Sequence, residues 1–557
     1  MELLSLDLDV LNCVLDHLIQ RDLKSLRLVN RALYSHIKLK IPRLFISPNR
    51  TNIDVFESVI NHEEYRLQVR EIVWDDARLE YFSAHRGPRR SRWQVDQLPR
   101  DFDHFVFKLE RQDERNRFRS IVDLRKKELW GLNAEEMSIE ESFRVYRQLW
   151  DDQQRIIQNG EDVKALRQGL LRLSNLKRIT LTSEAWRMYY LFPKYETPFF
   201  RSLLPGQRMV YPWAWLGHDS YQDEDEDDYN RRLQTPWTQP HDAWRGYSII
   251  VAELLSARHH SNICEFIIDV HREHTGIGQR LFCAPSLDLT GTETLFSVLS
   301  LTRLDLAINT QGMDPLFPDT WFWRHPYLKR ALSQLDSLKH FVLRLSTLDH
   351  WAIGIASHDY PLLSLQDILP TPHGTVWPHL QYLGLAYIFT TQESLLILLS
   401  TLPSLVEIDL DSCRFQTGHE SYEIRYYPSL LNSIKTDLLD TDNGAWKTRK
   451  PRLTMRYGAG RLSNQVRTTC FSNTIGGYLY GDRPNPYELL EDRVETEEPL
   501  AWEVHDFDPE PEDPDQMPED PTKEIEEQNK YRNLLLYPPP IVIVENNMFG
   551  NMFETFE

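Results

Sequence analysis

Leu380-Gln-Tyr-Leu383-Gly-Leu385-Ala-Tyr-Ile-Phe-Thr-Thr-Gln392-Glu-Ser-Leu395-Leu-Ile-Leu398-Leu-Ser-Thr-Leu402-Pro-Ser-Leu405-Val-Glu-Ile408-Asp-Leu410 is the stretch that decides the fold. It begins and ends with the same pattern: an aliphatic residue, two variable positions, an apolar residue, one variable position, a third apolar residue. The last two apolar positions alternate as the buried side of a strand does, and the first marks the turn into it. Between the two copies, Gln392–Leu399 has helical character. Working outward, the triplet recurs as Val69-x-x-Ile72-x-Trp74, Leu176-x-x-Ile179-x-Leu181, Ile263-x-x-Phe266-x-Ile268, Leu301-x-x-Leu304-x-Leu306 and Leu338-x-x-Phe341-x-Leu343. From Ile263 to Leu405 the steps are 38, 37, 42 and 25 residues, and further helical stretches lie at Ile249–Ala257 and Glu293–Leu299. Ile41–Ile46 is expected to be the first strand. Strand and helix in alternation predict an α/β chain, either a solenoid of irregular units or an ordinary domain with an open parallel sheet.

The first forty residues follow a different rule. Val10, Leu11, Val14, Leu15 and Leu18 take the i, i+1, i+4, i+5, i+8 spacing of one helix face, and Leu23, Leu26 and Val29 continue on a second helix. Asp7 or Asp9 can cap the first helix and Asp22 the second. Helices this short are not expected to bury the whole stripe among themselves, so apolar surface is left for the rest of the chain or for another protein.

That residue order resembles the F-box, the helical module by which substrate receptors dock on the Skp adaptor of cullin–RING ubiquitin ligases. Leu6, Asp9, Val10, Leu11, Val14, Leu15, Leu18, Asp22, Leu23, Leu28, Val29 and Arg31 occupy matching places. Asp7 stands where the family has proline, a residue that preorganises a first helical turn. The aromatic that often follows the second helix is missing unless Tyr34 serves. The triplets in turn are similar to the core signature of leucine-rich repeats, in the long, irregular form found in many fungal F-box proteins. The fold implied is α/β: an N-terminal helical F-box module over 1–45, an irregular leucine-rich-repeat solenoid over 46–490, and an acidic, proline-rich, largely disordered tail over 491–557.

Two insertions interrupt the repeat. Residues 98–169 are charged and helical, with Phe102, Phe105, Phe107 and Leu109, then Phe143, Tyr146, Leu149 and Trp150, as inward faces. Residues 186–245 are rich in aromatics, and their tryptophans are expected either to pack over the repeat or to form a recognition surface. The acidic run Asp223–Asp228 fits a solvated loop tip. The basic cluster Lys447, Arg449, Lys450 and Arg452 fits a solvated face, or a loop that holds a phosphate or carboxylate.

Composition excludes several classes. The 557 residues carry 63 basic and 83 acidic side chains, a formal charge of −20, which argues against a general nucleic-acid binder. No run approaches the roughly 20 apolar residues of a membrane span, and the amphipathic start is unlike a signal peptide. Cys13, Cys264, Cys283, Cys413 and Cys470 are scattered and odd in number, as expected of a reducing compartment, cytoplasmic or nuclear. No enzyme motif emerges: Gly276-Ile-Gly278 has Leu281 where a dinucleotide fingerprint needs glycine, and there is no phosphate loop or nucleophile elbow. His271 and His274, with Cys264 and Cys283 nearby, are thin as a metal site. The expectation is a non-enzyme without cofactor or metal.

The resemblance therefore implies a substrate-recognition subunit of a Skp–cullin–F-box type ligase. Its partners would be the adaptor, through it a cullin–RING ligase, and an unknown protein substrate, with no nucleic acid or membrane. Adaptor docking is expected on Leu6, Val10, Leu11, Val14, Leu15, Leu18, Leu23, Leu26 and Val29. Substrate binding is expected on the concave strand face and on Trp213, Trp215 and Trp237 of the second insertion. The alternative is a repeat scaffold with no link to ubiquitination.

Overall fold

The computed structural model describes residues 7–79, 137–183, 244–256, 262–270, 276–310, 321–345, 363–370, 377–416, 426–439, 445–459 and 467–486, apart from a few single positions. Short pieces within 102–109 and 185–210 are described as well. The chain forms two compact units, one of 1–40 with 455–471 and 498–557, the other of 41–454 with 472–497.

The larger unit is mixed α/β, built on one long sheet. Its strands are β1 (Arg43–Ile46), β2 (Glu71–Asp75), β3 (Arg178–Thr182), β4 (Glu265–Asp269), β5 (Arg303–Asn309), β6 (His340–Leu345), β7 (Tyr382–Ala386) and β8 (Glu407–Asp411), followed by β9 (Arg452–Ala459), of which residues 452–454 belong to this unit. They lie side by side in the order of the sequence, and every ladder from β1 to β8 is parallel.

The triplets set the register. Ile72, Ile179, Phe266, Leu304, Phe341, Leu383 and Ile408 stand opposite one another from strand to strand. No residue of the seven triplets is more than 5% exposed. A backbone device repeats with them. The carbonyls of Pro42, Arg70, Lys177, Cys264, Thr302, Lys339 and Gln381 each accept two consecutive N–H groups at the start of the next strand, at 2.7–3.1 Å. Val406 accepts one, from Arg452, because Pro451 has no N–H to give. A side-chain device joins three of these turns. Asn175 Nδ2 donates to Leu67 O (2.6 Å), Asn262 Nδ2 to Ser174 O (2.8 Å) and Ser404 Oγ to Pro378 O (2.6 Å).

Parallel neighbours require long crossovers, and helices supply most of them: α4 (Arg50–Ile60), α5 (Ile139–Asn159), α6 (Glu161–Arg172), α7 (Arg245–Ser256), α8 (Leu287–Val298), α9 (Tyr327–Leu332), α10 (Leu365–Ile368) and α11 (Gln392–Thr401). Caps define their ends. Asn49 accepts from Asn52 N to start α4, and Ser138 accepts from Glu141 N to start α5. Gly160, at φ 59°, ends α5 in the left-handed conformation that glycine adopts without strain. The helices pack in chain order, α4 on α6, α6 on α7, α7 on α8, and so on to α11 and the π-helical turn Ile434–Leu439. They form a layer that covers the Ile72 and Trp74 side of the sheet, where Gly246 of α7 sits against the Trp74 indole.

The other side of the first strands carries a second core. Val73 and, partly buried, Phe45 pack with Phe102, Phe105, Leu109, Phe143, Tyr146, Tyr195, Phe199, Met209 and Val210. The inward faces read in the first insertion thus include Phe102, Phe105, Leu109, Phe143 and Tyr146, with Leu149 and Trp150 at the margin, while Phe107 lies outside the described residues. One boundary needs correction. α6, assigned to the insertion as far as Gly169, belongs to the crossover layer, where it bridges α4 and α7.

In the smaller unit, α1 (Leu8–Asp16), α2 (Gln20–Val29) and α3 (Arg31–His36) close a core of Leu11, Leu15, Leu23, Leu33 and Ile37, with Leu18, Leu26 and Leu39 packed against it. Among the described residues no helix is long and apolar enough to cross a membrane.

Candidate functional site

Two surfaces bear on function. The first is the outside of the N-terminal helices. Asn30 caps α3 by accepting from Leu33 N at 2.8 Å, which orients α3 against α2. The expected stripe splits into two sides. Leu11, Leu15 and Leu23 point into the module's own core and Leu18 and Leu26 flank it, so the helices bury part of the stripe among themselves. Val10, Val14 and Val29 face outward, at 49%, 39% and 67% exposure. Leu28 and Tyr34, absent from the expected docking set, are exposed too, with the Arg27 guanidinium 4.4 Å from the Tyr34 ring. Leu6 lies outside the described residues. Helix geometry explains the split: residues at i and i+1 stand about 100° apart, so a stripe carrying both cannot face a single direction.

The second surface is the open face of the sheet, opposite the helices. At its start runs a polar ladder. Arg43 pairs with Glu71 at 2.6 Å, Arg178 with Glu265 at 2.7 Å and Arg303 with Asp305 at 2.7 Å. His340 Nε2 lies 3.4 Å from Asp305, and its ring stacks on Tyr382 at 4.1 Å, the two planes nearly parallel. Tyr382 Oη donates to Asp409 at 3.2 Å, and Arg452 reaches Glu407 at 3.9 Å. Burial lowers His340 to about 4 against the pull of Asp305, so the ring is neutral at pH 7.

Over the first four strands this face is occupied. Tyr195, from the second insertion, rests against Phe45 and under Arg43, and its hydroxyl donates to Asp269. Burial beside that carboxylate raises the Tyr195 phenol well above its ordinary value. The concave face was expected to take substrate. The N-terminal half of the open face holds the chain's own side chains. Trp213, Trp215 and Trp237 lie outside the described residues. Trp244, from the same insertion, is buried, and its indole donates to Asp288 at 3.4 Å.

Reactive groups are few among the described residues. A recess where β1 and β2 end, walled by Asn49, Asp75, Gln153 and Phe199, has room for about one water. Burial pushes the Cys283 thiol up to about 12 and the Cys413 thiol higher, which holds both protonated. Cys413 Sγ donates to Leu385 O at 3.2 Å, tying β8 to β7. No group of three His, Cys, Asp or Glu is placed to hold a metal among the described residues, and His271 and His274 are not among these. No protein-family model matches the chain, and no curated protein matches it.

Proposed function

We propose that this chain is the substrate-recognition subunit of a Skp–cullin–F-box type ubiquitin ligase, a receptor that performs no chemistry of its own. The N-terminal helices dock the adaptor as an F-box does, and the larger unit, read as an irregular leucine-rich-repeat solenoid, holds a protein substrate. Receptor and enzyme in one assembly raise the effective concentration of substrate lysines at the charged ubiquitin.

The observation that carries this reading is the division of the N-terminal stripe. Leu11, Leu15 and Leu23 make a small core, and Val10, Val14, Leu28 and Val29 stand outside it. A module that keeps its shape and presents an apolar ridge is what docking needs. Full burial of each of these side chains is worth roughly 1.5–3 kcal/mol. Strands laid down in sequence order and a repeating pair of hydrogen bonds at each strand start support the solenoid reading. With the first half of the open face filled by Tyr195 and its neighbours, substrate contacts belong on the later strands or on the outside of the insertions.

The test is affinity purification of the tagged full chain. It should recover the adaptor and a cullin, and Val14→Asp with Leu28→Asp should lose both. Recovery of neither by the wild type, or of both by the variant, overturns the proposal. Leu11→Asp and Leu15→Asp are unsuitable, because they strike the module's core.

A further inference from the structure

Residues 20–40 carry Arg21, Lys24, Arg27, Arg31, Lys38 and Lys40 against the single carboxylate of Asp22, a charge of +5 in a chain whose total is −20. The fold gathers part of that charge on one surface. On α2, Arg27 and Leu28 stand three and four residues from Lys24, so the three share a helix face. Arg27 joins this face to α3, where its guanidinium lies 4.4 Å from the Tyr34 ring. Arg31 is one turn before Tyr34 on α3. Lys24, Leu28, Arg31 and Tyr34 are exposed, and Leu23 and Leu33 of the same two helices fill the core of the module. Asn30 fixes the turn between them by capping α3.

Like charges one turn apart disfavour a helix, so the spacing of Lys24 and Arg27 does not serve the stability of α2. Cations set around the apolar Leu28 and the Tyr34 ring fit a surface of opposite sign with an apolar centre. We propose that this strip is the electrostatic part of the docking face, and that the partner protein meets it with carboxylates around an apolar patch that takes Leu28. The inference rests on the adaptor-docking reading and names the chemistry of the partner at that same face. A lipid surface fits less well. It favours one long amphipathic helix, whereas α2 has ten residues, α3 has six, and Asn30 separates them in an extended conformation. Complementary charge acts mainly by speeding encounter, and salt screens it.

The test is stopped-flow association of the full chain with a purified Skp-type adaptor. At about 50 mM salt, Lys24→Glu with Arg31→Glu should lower the association rate constant at least about tenfold and change the dissociation rate constant less than about threefold. At about 1 M salt, where the Debye length is roughly 3 Å, wild type and variant should associate within about twofold of one another. Glutamate at the start of α3 suits the positive end of that helix, so the circular dichroism spectrum should not change. Adaptor binding with an association rate constant that neither salt nor the variant alters would overturn the strip and leave the docking reading standing. A wild-type chain that does not bind the adaptor at all would defeat both. Binding to vesicles of phosphatidylcholine and phosphatidylserine that the variant loses would assign the strip to a membrane and overturn the protein partner.

Discussion

Asp76 offers the most demanding test of how the crossovers are held to the sheet. Its carboxylate, 2% exposed, accepts Gly246 N at 3.1 and 3.0 Å and Trp74 Nε1 at 3.2 Å. Gly246 is the second residue of α7, so an anion just beyond β2 caps a helix 170 residues away and favours its positive end. Asp76→Ala strands two buried donors. Hydrogen bonds to a charged acceptor contribute about 1.5–3 kcal/mol each, and an unsatisfied buried donor costs about 1–3 kcal/mol. Relief from burying the carboxylate offsets part of this, which leaves a net loss of about 3 kcal/mol. Asp76→Asn keeps one acceptor and should lose about 1–2 kcal/mol. Asp54→Ala, at an exposed position 3.9 Å from Arg50, should change stability by less than about 0.5 kcal/mol. Urea unfolding followed by circular dichroism orders the three, and with a slope near 3 kcal/mol/M the alanine variant should unfold about 1 M earlier. An Asp76→Ala midpoint within 0.2 M of the wild type, on the order of the Asp54→Ala shift, would refute the reasoning.

Further predictions concern the other buried charges. His340 titrates near 4 in the fold against its ordinary 6.5. The unfolded chain therefore binds the proton first, and stability present above pH 6.5 is lost as the pH falls toward 4, by about 2 kcal/mol at pH 4.5. His340→Phe retains an aromatic on Tyr382 and should flatten that part of the urea-midpoint profile; an unchanged slope between pH 7 and 4.5 counts against it. Asp162 is fully buried and takes two bonds from Arg245, at 2.6 and 3.1 Å. Asp162→Ala should lower stability by about 3 kcal/mol by stranding the guanidinium, which calorimetry would show as a clear drop in Tm. Gly278→Ala would place a methyl 2.4 Å from the Trp244 ring and should cost about 1–3 kcal/mol, with a change in tryptophan fluorescence as the indole is displaced.

The strands were legible because their buried positions repeat every second residue and each set stands alone between turns, as at Leu383 and Leu385. The same rule holds at both ends of the sheet, where it is harder to see. Ile41-x-x-Leu44-x-Ile46 falls in register with Ile72 and Trp74, and Leu453-x-Met455 is buried alike although Lys450 takes the first place. An amide or hydroxyl immediately before the triplet was also there to be read, at Asn175, Asn262 and Ser404, but its carbonyl partners are 26 to 108 residues away. The filling of the open face by Tyr195 has no local signal at all. A tyrosine between irregular residues meets Asp269 only once four strands are assembled. α9 and α10, of six and four residues, are too short to show a helical period. In the N-terminal module the apolar spacing located the helices, but periodicity cannot say which half of a broad stripe turns inward. That depends on where α3 lies, and Leu33 and Ile37 fixed it.

The docking claim is tested most directly by isothermal titration of a purified Skp-type adaptor into the full chain. Docking through the exposed Val10, Val14, Leu28 and Val29 predicts a Kd below about 1 μM, weakened at least about a hundredfold by Val14→Asp with Leu28→Asp. The helical spectrum of that variant should match the wild type. No heat of binding at 50 μM protein, roughly fifty times that Kd, or equal affinity in the variant, would contradict it.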